Sequence, residues 1–396
     1  AHHMLDSLLI KNFRSLEHLE VPKLGRVNLI VGKNNSGKST VLEALRIYAG
    51  HAQRQLLEAI AIEHDEPLAT GDVDLGDSAE ELPYQALFTD RRFPTKDGVK
   101  IEIGSATQPH QRLTIEHVFL VETEEKVDNG SVVRRHPVLK AESPDLFYDA
   151  TTQALQVVKG EKALPPILLV PASSRVRALS FDSGLAVPCS LVPTQFISED
   201  ELAMEWDKVA LTPHEEVLRR AMRIVTPDFQ NLAFVRNPDG KSMSFRTTSE
   251  SRALYRQRPE RSAKVKLAGT PTPVPLNSMG DGMLRVLQLT LKLLGAKGGF
   301  LLIDEFENGL HYSVQEKVWQ LVFELAEQLK VQVFATTHSW DCIESFTKVA
   351  VARTETDGVL FRLGRSVRTS DQGRVIATVF DEAALQNITQ QDVEVR

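Results

Sequence analysis

The sequence predicts an α/β fold: a mixed sheet with a parallel core, an antiparallel β subdomain attached to it, and a helical insertion. Three observations carry this. Val27–Val31 is apolar at nearly every position, as expected of a strand covered on both faces, and it passes through a Gly-containing turn into a helix. A second apolar run, Phe300–Ile303, ends in two carboxylates. Strand–helix–strand order recurs at both chain ends, which favours parallel strands joined by right-handed crossovers.

The first element is a strand over residues 7–11, with Phe13 beyond it. After the second strand comes a helix over residues 37–48, whose apolar positions Val41, Leu42, Leu45 and Tyr48 repeat at helical spacing. Residues 70–190 alternate short β-like runs (85–88, 99–103, 113–121, 167–170) with polar turns. They read as antiparallel strands attached to the same sheet, with a helix or two between them. Ser198 followed by Glu201, and Thr212-Pro213 followed by Glu215, are capping-box starts of two helices, the second stopped by Pro227. Strands resume at 232–235 and 243–245. A helix apolar on most faces covers 282–294. A striped helix covers 313–330, with Val314, Val318, Leu321, Val322, Leu325 and Leu329 on one face. The strand 331–335 follows, and a last strand at 349–352 precedes a polar tail.

The chain has 396 residues, enough for one large domain with an insertion or for two or three smaller domains. With 42% hydrophobic and 25% charged residues it has the composition of a globular protein with a sizeable core. Its formal charge of -7 excludes a generally basic nucleic-acid coat, so any DNA contact must come from a local patch. The two cysteines, Cys189 and Cys342, are far apart, which fits a reducing cytosol and excludes a disulfide scaffold. No apolar run approaches the roughly 18 residues of a membrane span. A cytoplasmic protein without a membrane partner is expected. Residues 1–4 read as an expression scar, with Met4 as the natural start.

The sharpest motif is Gly32-Lys33-Asn34-Asn35-Ser36-Gly37-Lys38-Ser39, followed by Thr40. It matches G-x-x-x-x-G-K-[ST] completely and lies between a buried strand and a helix, where a phosphate-binding loop must lie. Its backbone N–H groups and the helix dipole would hold phosphate oxygens. Lys38 would bridge the β- and γ-phosphates, and the Ser39 hydroxyl would ligate Mg²⁺.

The carboxylates after the apolar run supply the other half of a hydrolytic site. Asp304 is placed to hold Mg²⁺, and Glu305 to orient or deprotonate the attacking water. His338 follows a strand through Thr336-Thr337 and so lies on the ligand side of a parallel sheet. There it could donate to a γ-phosphate or to the water. Ser278-Met279-Gly280-Asp281-Gly282 opens the buried helix. It is either an ordinary N-cap or a second anion site that a two-fold partner would use.

The order of these motifs resembles the ABC-type ATPases and, more narrowly, the RecF/SMC/OLD-like branch. The carriers are Ile10-Lys11-Asn12-Phe13-Arg14-Ser15-Leu16, the loop 32–40, and Asp304-Glu305-Phe306-Glu307-Asn308-Gly309-Leu310-His311. The resemblance is to the ATPase half of OLD-family proteins. It implies that residues 32–40 are Walker A and that Ser278, Gly280 and Asp281 belong to the signature loop. It further implies Asp304 and Glu305 as Walker B, residues 309–311 as the D-loop, and His338 as the switch histidine. ATP and Mg²⁺ are the implied cofactors, and ATP would clamp two subunits together until hydrolysis releases them.

On this reading the ATPase domain is split over 5–195 and 231–396, with 196–230 as the helical insertion and dimerisation element. The candidate for the family's Q-loop glutamine is Gln85. The signature loop lacks the Leu-Ser-Gly-Gly-Gln form of transporters, and His311 replaces the usual D-loop Asp. No heptad repeat runs through 50–270, and no acidic set of a Toprim nuclease follows Ser345. Glu122, Glu124 and Lys126 read as solvated surface rather than as a nuclease. The chain is therefore expected to lack its own nuclease, and the resemblance implies a role in DNA repair or anti-phage defence, as a homodimer beside a separate nuclease or effector. The alternatives are an ATP-loaded scaffold that sequesters an effector, and a transport ATPase subunit.

One charged run stands outside these motifs. Arg246, Arg252, Arg256, Arg258, Arg261, Lys264 and Lys266 face only Glu250 and Glu260, and Tyr255 could stack on a base. The run is a nucleic-acid patch, a surface for an acidic protein, or merely solvated.

Overall fold

The computed structural model describes residues 4–67, 82–127, 130–138, 151–169, 186–236, 260–353, 356–380 and 384–385. Its centre is a six-stranded sheet in the order β10 (Cys189–Val192), β14 (Phe300–Ile303), β15 (Gln332–Thr337), β3 (Val27–Val31), β16 (Gly358–Arg365) and β17 (Val375–Phe380). The first five strands are parallel, and β17 closes the edge antiparallel to β16. Consecutive residues of a strand fall into opposite cores. Leu301 and Ile303 enter a cluster with α5 (Asp281–Gly295), α6 (Tyr312–Leu329) and α7 (Trp340–Ala352). Phe300 and Leu302 enter the other cluster, with α1 (Lys38–Ala49). Burial on both faces explains why these strands read as unbroken apolar runs.

A second, wholly antiparallel sheet lies across α1. Its path is β2 (Leu16–Val21), β1 (Leu8–Phe13), β4 (Ile101–Gly104), β5 (Arg112–Val127), β7 (Thr151–Lys159) and β8 (Lys162–Ala163). In addition, β6 (Gly130–Val138) pairs with β5, and β9 (Ile167–Leu168) with β7. α1 packs against β1 and β4 of this sheet and β14 and β15 of the parallel one. The expected antiparallel β subdomain is thus a sheet of its own, and β1 belongs to it. The phosphate-loop helix is thereby buried between two sheets, which is why Val41, Ala44, Leu45 and Ile47 are inaccessible.

Two elements had too weak a pattern to be read. β2 carries Glu17 and Glu20 among its buried positions, and α2 (Arg54–Glu63) buries only Leu57, Ile60 and Ala61. Residues 85–88, read as a strand, contain the 3₁₀ turn Gln85–Leu87. The strand expected at 349–352 is the end of α7. Its β-branched residues look extended in isolation, but Ile343, Phe346, Val349 and Ala350 share one buried helical face, and Glu344 and Lys348 pair one turn apart at 2.7 Å. The tail expected to be polar supplies β16 and β17, of which β16 buries Val359, Leu360, Phe361 and Leu363. The strand expected at 243–245 lies outside the described residues.

Residues 196–230 hold α3 (Glu199–Asp207) and α4 (His214–Val225), as expected. The Ser198 side chain accepts the Glu201 N–H at 3.2 Å, but the Glu201 carboxylate takes Lys292 of α5 at 2.7 Å instead of closing the box. At α4 the contacts shift by one residue. Thr212 Oγ1 accepts the His214 N–H, and Glu215 reaches back to the Leu211 N–H. Leu202, Trp206, Leu218 and Met222 are all in the core shared with α5, so the segment is packed into the domain. A small sheet of β11 (Phe229–Arg236), β12 (Arg261–Leu267) and β13 (Val274–Pro275) adjoins it.

Candidate nucleotide site

All five parallel strands present their carboxyl ends on one edge, where α/β sheets bind ligands. The loop after β3 is built on positive backbone angles, with Asn35 at φ 64° and Gly37 at φ 95°. Gly32 is obligatory. A Cβ there would stand 2.6 Å from Ser36 Oγ and 2.7 Å from the Leu363 carbonyl oxygen. Lys38 Nζ spans its own loop, donating to the carbonyls of Gly32 at 2.7 Å and Lys33 at 3.1 Å. Burial lowers its pKa, against the pull of Asp304, Glu305 and Glu307. Ser36 Oγ is buried without a hydrogen-bond partner, while Lys33, Asn34, Asn35 and Ser39 are exposed. A buried hydroxyl left without a partner in this loop suits a phosphate oxygen.

Asp304 follows β14 and collects hydroxyls from three segments. Thr336 Oγ1 of β15 donates at 2.7 Å, Thr194 Oγ1 after β10 at 3.0 Å, and Ser39 Oγ of the phosphate loop at 3.4 Å. The structure thus brings the two predicted cation ligands, Ser39 and Asp304, into contact. One hydroxyl and one carboxylate are a small donor set. That suits Mg²⁺, which keeps several waters and takes phosphate oxygens as its other ligands.

Glu305 has a left-handed backbone (φ 48°), held by its N–H donating to Thr336 Oγ1 at 2.9 Å. Its Oε1 lies 3.6 Å from His338 Nδ1. Lys38, Ser39, Asp304, Glu305 and His338 therefore share one edge. Beside them, a cavity of about 470 Å³ opens next to Thr40, lined by Arg14, Ser15, Asp90, Arg91 and Arg365 among others.

The Ser278 loop caps α5 with Gly280, Ser278 Oγ donates to the Pro275 carbonyl at 2.7 Å, and Ser278, Gly280 and Asp281 are exposed. Among the described residues no hydrogen bond or ion pair joins it to residues 32–40. Its neighbour is Gly309, whose added Cβ would meet Asp281 Cβ at 3.3 Å.

Several site residues escaped the sequence reading. Thr194 and Thr336 orient Asp304, and Glu307 contacts His338. Arg285 of α5, wholly buried, donates to the carbonyls of Pro193, Asp304 and Glu305. Gln85, the Q-loop candidate, lies in a 3₁₀ turn. Gln195 is exposed three residues past the end of β10, a strand that the pairing with β14 brings into the parallel sheet.

In the basic run, Arg252, Arg256 and Arg258 lie outside the described residues. Arg261 is committed to Asp207, with contacts of 2.6 and 2.9 Å. Lys264 and Lys266 stand on β12 with no ion pair among the described residues. Among the described residues no helix is long and apolar enough to cross a membrane.

Comparison with known proteins agrees with this geometry. Residues 4–167 match the family described as AAA ATPase domain, and residues 239–341 the family described as AAA domain, putative AbiEii toxin, Type IV TA system. An ATP/GTP phosphatase of Helicobacter pylori is 24% identical over 87% of this chain and 88% of its own length. The DNA replication and repair protein RecF of Erwinia tasmaniensis is 25% identical over 87% of this chain and 96% of its own. An OLD nuclease of Thermus scotoductus is 24% identical over 85% of this chain but only 59% of its own length. A phosphate loop, a hydroxyl-bound Asp-Glu pair and a histidine on one parallel edge, found together with these matches, support an ABC-type ATPase similar to RecF and the OLD nuclease.

Proposed function

We propose that the protein hydrolyses ATP with Mg²⁺ as a homodimer, acting in bacterial DNA repair or anti-phage defence beside a separate nuclease or effector. The observation that carries the chemistry is Asp304, which meets the Ser39 hydroxyl while Glu305 and His338 lie beside it. Ser39 and Asp304 would hold Mg²⁺, which supplies charge neutralisation to the phosphates when bound. Lys38 would leave its loop carbonyls for phosphate oxygens. Glu305 takes the proton of the attacking water, and His338 donates to the terminal phosphate or to that water.

The exposed Ser278–Gly280 end of α5 is the feature that supports a dimer. It has no nucleotide of its own to contact, and a second copy would bring one. Similarity to RecF over nearly its whole length supports a DNA-related role. The test is ATP turnover together with molar mass in solution. Glu305→Gln should bind ATP, turn over slowly and accumulate as a dimer. Wild-type turnover by Glu305→Gln would refute the base assignment, and a monomer with ATP and Mg²⁺ would refute the dimer.

A further inference from the structure

We propose that Glu307 is a positioning residue of this site. Its carboxylate holds the His338 imidazole in the tautomer with hydrogen on Nδ1, leaving Nε2 to address the terminal phosphate or the attacking water. The inference deepens the ATPase reading above and rests on it for its catalytic consequence.

Glu307 sits in the turn after β14. The turn is folded back on itself by the Asn308 N–H donating to the Glu305 carbonyl at 3.0 Å and the Leu310 N–H to the Glu307 carbonyl at 2.9 Å. The Glu307 side chain is 11% exposed, against 37% for Glu305. A carboxylate that deep gives up hydration that cations or donors must replace. No Lys or Arg makes an ion pair with it among the described residues. Oε2 is buried without a hydrogen-bond partner. Oε1 has two contacts, and both come from one residue: the His338 backbone N–H at 3.1 Å and His338 Nδ1 at 3.3 Å. Lys38 and Arg285 feel its charge from farther away, but its directed contacts all go to His338, so they serve that residue.

The ring contact is at hydrogen-bond distance but is not aligned as one. A carboxylate only accepts, so a ring turned into line with it presents its N–H there, on Nδ1. The backbone contact holds the start of the residue and the ring contact its orientation. The ring is half exposed, and Nε2 has no hydrogen bond among the described residues. Glu305 Oε1 lies farther from the same Nδ1, at 3.6 Å, beyond hydrogen-bonding distance. By occupying Nδ1, Glu307 leaves the Glu305 carboxylate to its water. Without Glu307, the imidazole N–H would turn to Glu305 and engage the base.

The test uses the full chain labelled with ¹⁵N-histidine, free of nucleotide. The protein has 11 histidines, so His338 is assigned by the signal lost in His338→Gln. Long-range ¹H–¹⁵N correlation should show hydrogen on Nδ1 in the wild type. Glu307→Ala should abolish that preference and lower kcat by about 10–100-fold, the scale of losing a group that orients a functional histidine, with KM within about twofold. Glu307→Gln keeps an acceptor oxygen and should restore both the tautomer and most of kcat. An unchanged tautomer in Glu307→Ala overturns the proposal. So does an equal loss of kcat in both variants with parallel losses of thermal stability. Should Glu307→Ala not fold, Glu307→Asp, one methylene shorter, decides: tautomer and kcat both altered supports it, both unchanged refutes it. If the tautomer follows Glu307 but the wild type hydrolyses no ATP, the positioning stands and the ATPase reading fails.

Discussion

Arg285 Nη2 donates to the backbone carbonyls of Asp304 at 2.8 Å and of Glu305 at 2.7 Å, so the helix behind the Ser278 loop grips the strand end that carries the acidic pair. Nη1 adds the Pro193 carbonyl after β10 at 2.7 Å. One guanidinium thus ties α5, β10 and β14 together. Burial pulls its pKa down to about 10 against the opposing effect of Glu307, Asp304 and Glu305, and it remains charged at neutral pH.

Arg285→Met should cost about 2–3 kcal/mol of stability, because it keeps the bulk but leaves buried carbonyls without donors. Urea denaturation checks the stability. Turnover measured where the variant is still folded should fall as well, since both acids lose their anchor. A variant as stable as the wild type would show that water replaces the guanidinium.

Lys38→Ala should abolish nucleotide binding, read by titration with a fluorescent ATP analogue. Gly32→Ala should do the same for a different reason. The added Cβ meets Ser36 Oγ and the Leu363 carbonyl and forces the loop open. Full binding by Gly32→Ala would mean that the loop relaxes without cost.

Asp6 gives an acid-side prediction. Burial works to raise its pKa, but hydrogen bonds from Ser7, Ser105, Thr107 and Gln108 prevail and bring it down to about 2. A depressed carboxylate stabilises fully above its unfolded pKa of 3.8, and that contribution fades as pH falls towards about 2. Melting temperatures across pH 2–6 should therefore show wild type above Asp6→Asn at pH 6, with the gap closing over that window. The side chain is exposed, so the gap should be small. A gap that stays constant across the window would remove Asp6 as its source.

Lys264 and Lys266 lie on alternate positions of β12, and the cross-strand neighbours of both on β11 are uncharged, Ala233 and Asn231. If DNA uses this strand together with the arginines 252, 256 and 258, the double variant Lys264→Glu/Lys266→Glu should weaken binding and flatten its salt dependence. Affinity measured by fluorescence anisotropy at several salt concentrations decides. Arg261→Ala should chiefly loosen the contact with Asp207.

What the sequence determined by itself was everything carried by neighbours along the chain. The phosphate loop is contiguous from Gly32 to Thr40, Asp304 and Glu305 are adjacent, and helix starts such as Ser198 are written within four residues. Apolar runs such as Val27–Val31 and Phe300–Ile303 were legible because burial on both faces removes nearly every polar residue, the exception being Asn28, whose side chain donates to the Gly25 and Val333 carbonyls. The tertiary structure decided what depends on distant partners. Thr194 is 110 residues from Asp304, Thr336 is 32 away, and Gln195 follows β10, which joins the parallel sheet by pairing with β14. Residues 349–352 were ambiguous because four β-branched or small apolar residues fit either period, and packing of α7 on α6 resolved them. Side-chain hydrogen bonds to Asp304 and His338 leave no periodic trace, since a single buried polar contact constrains one residue rather than a stretch.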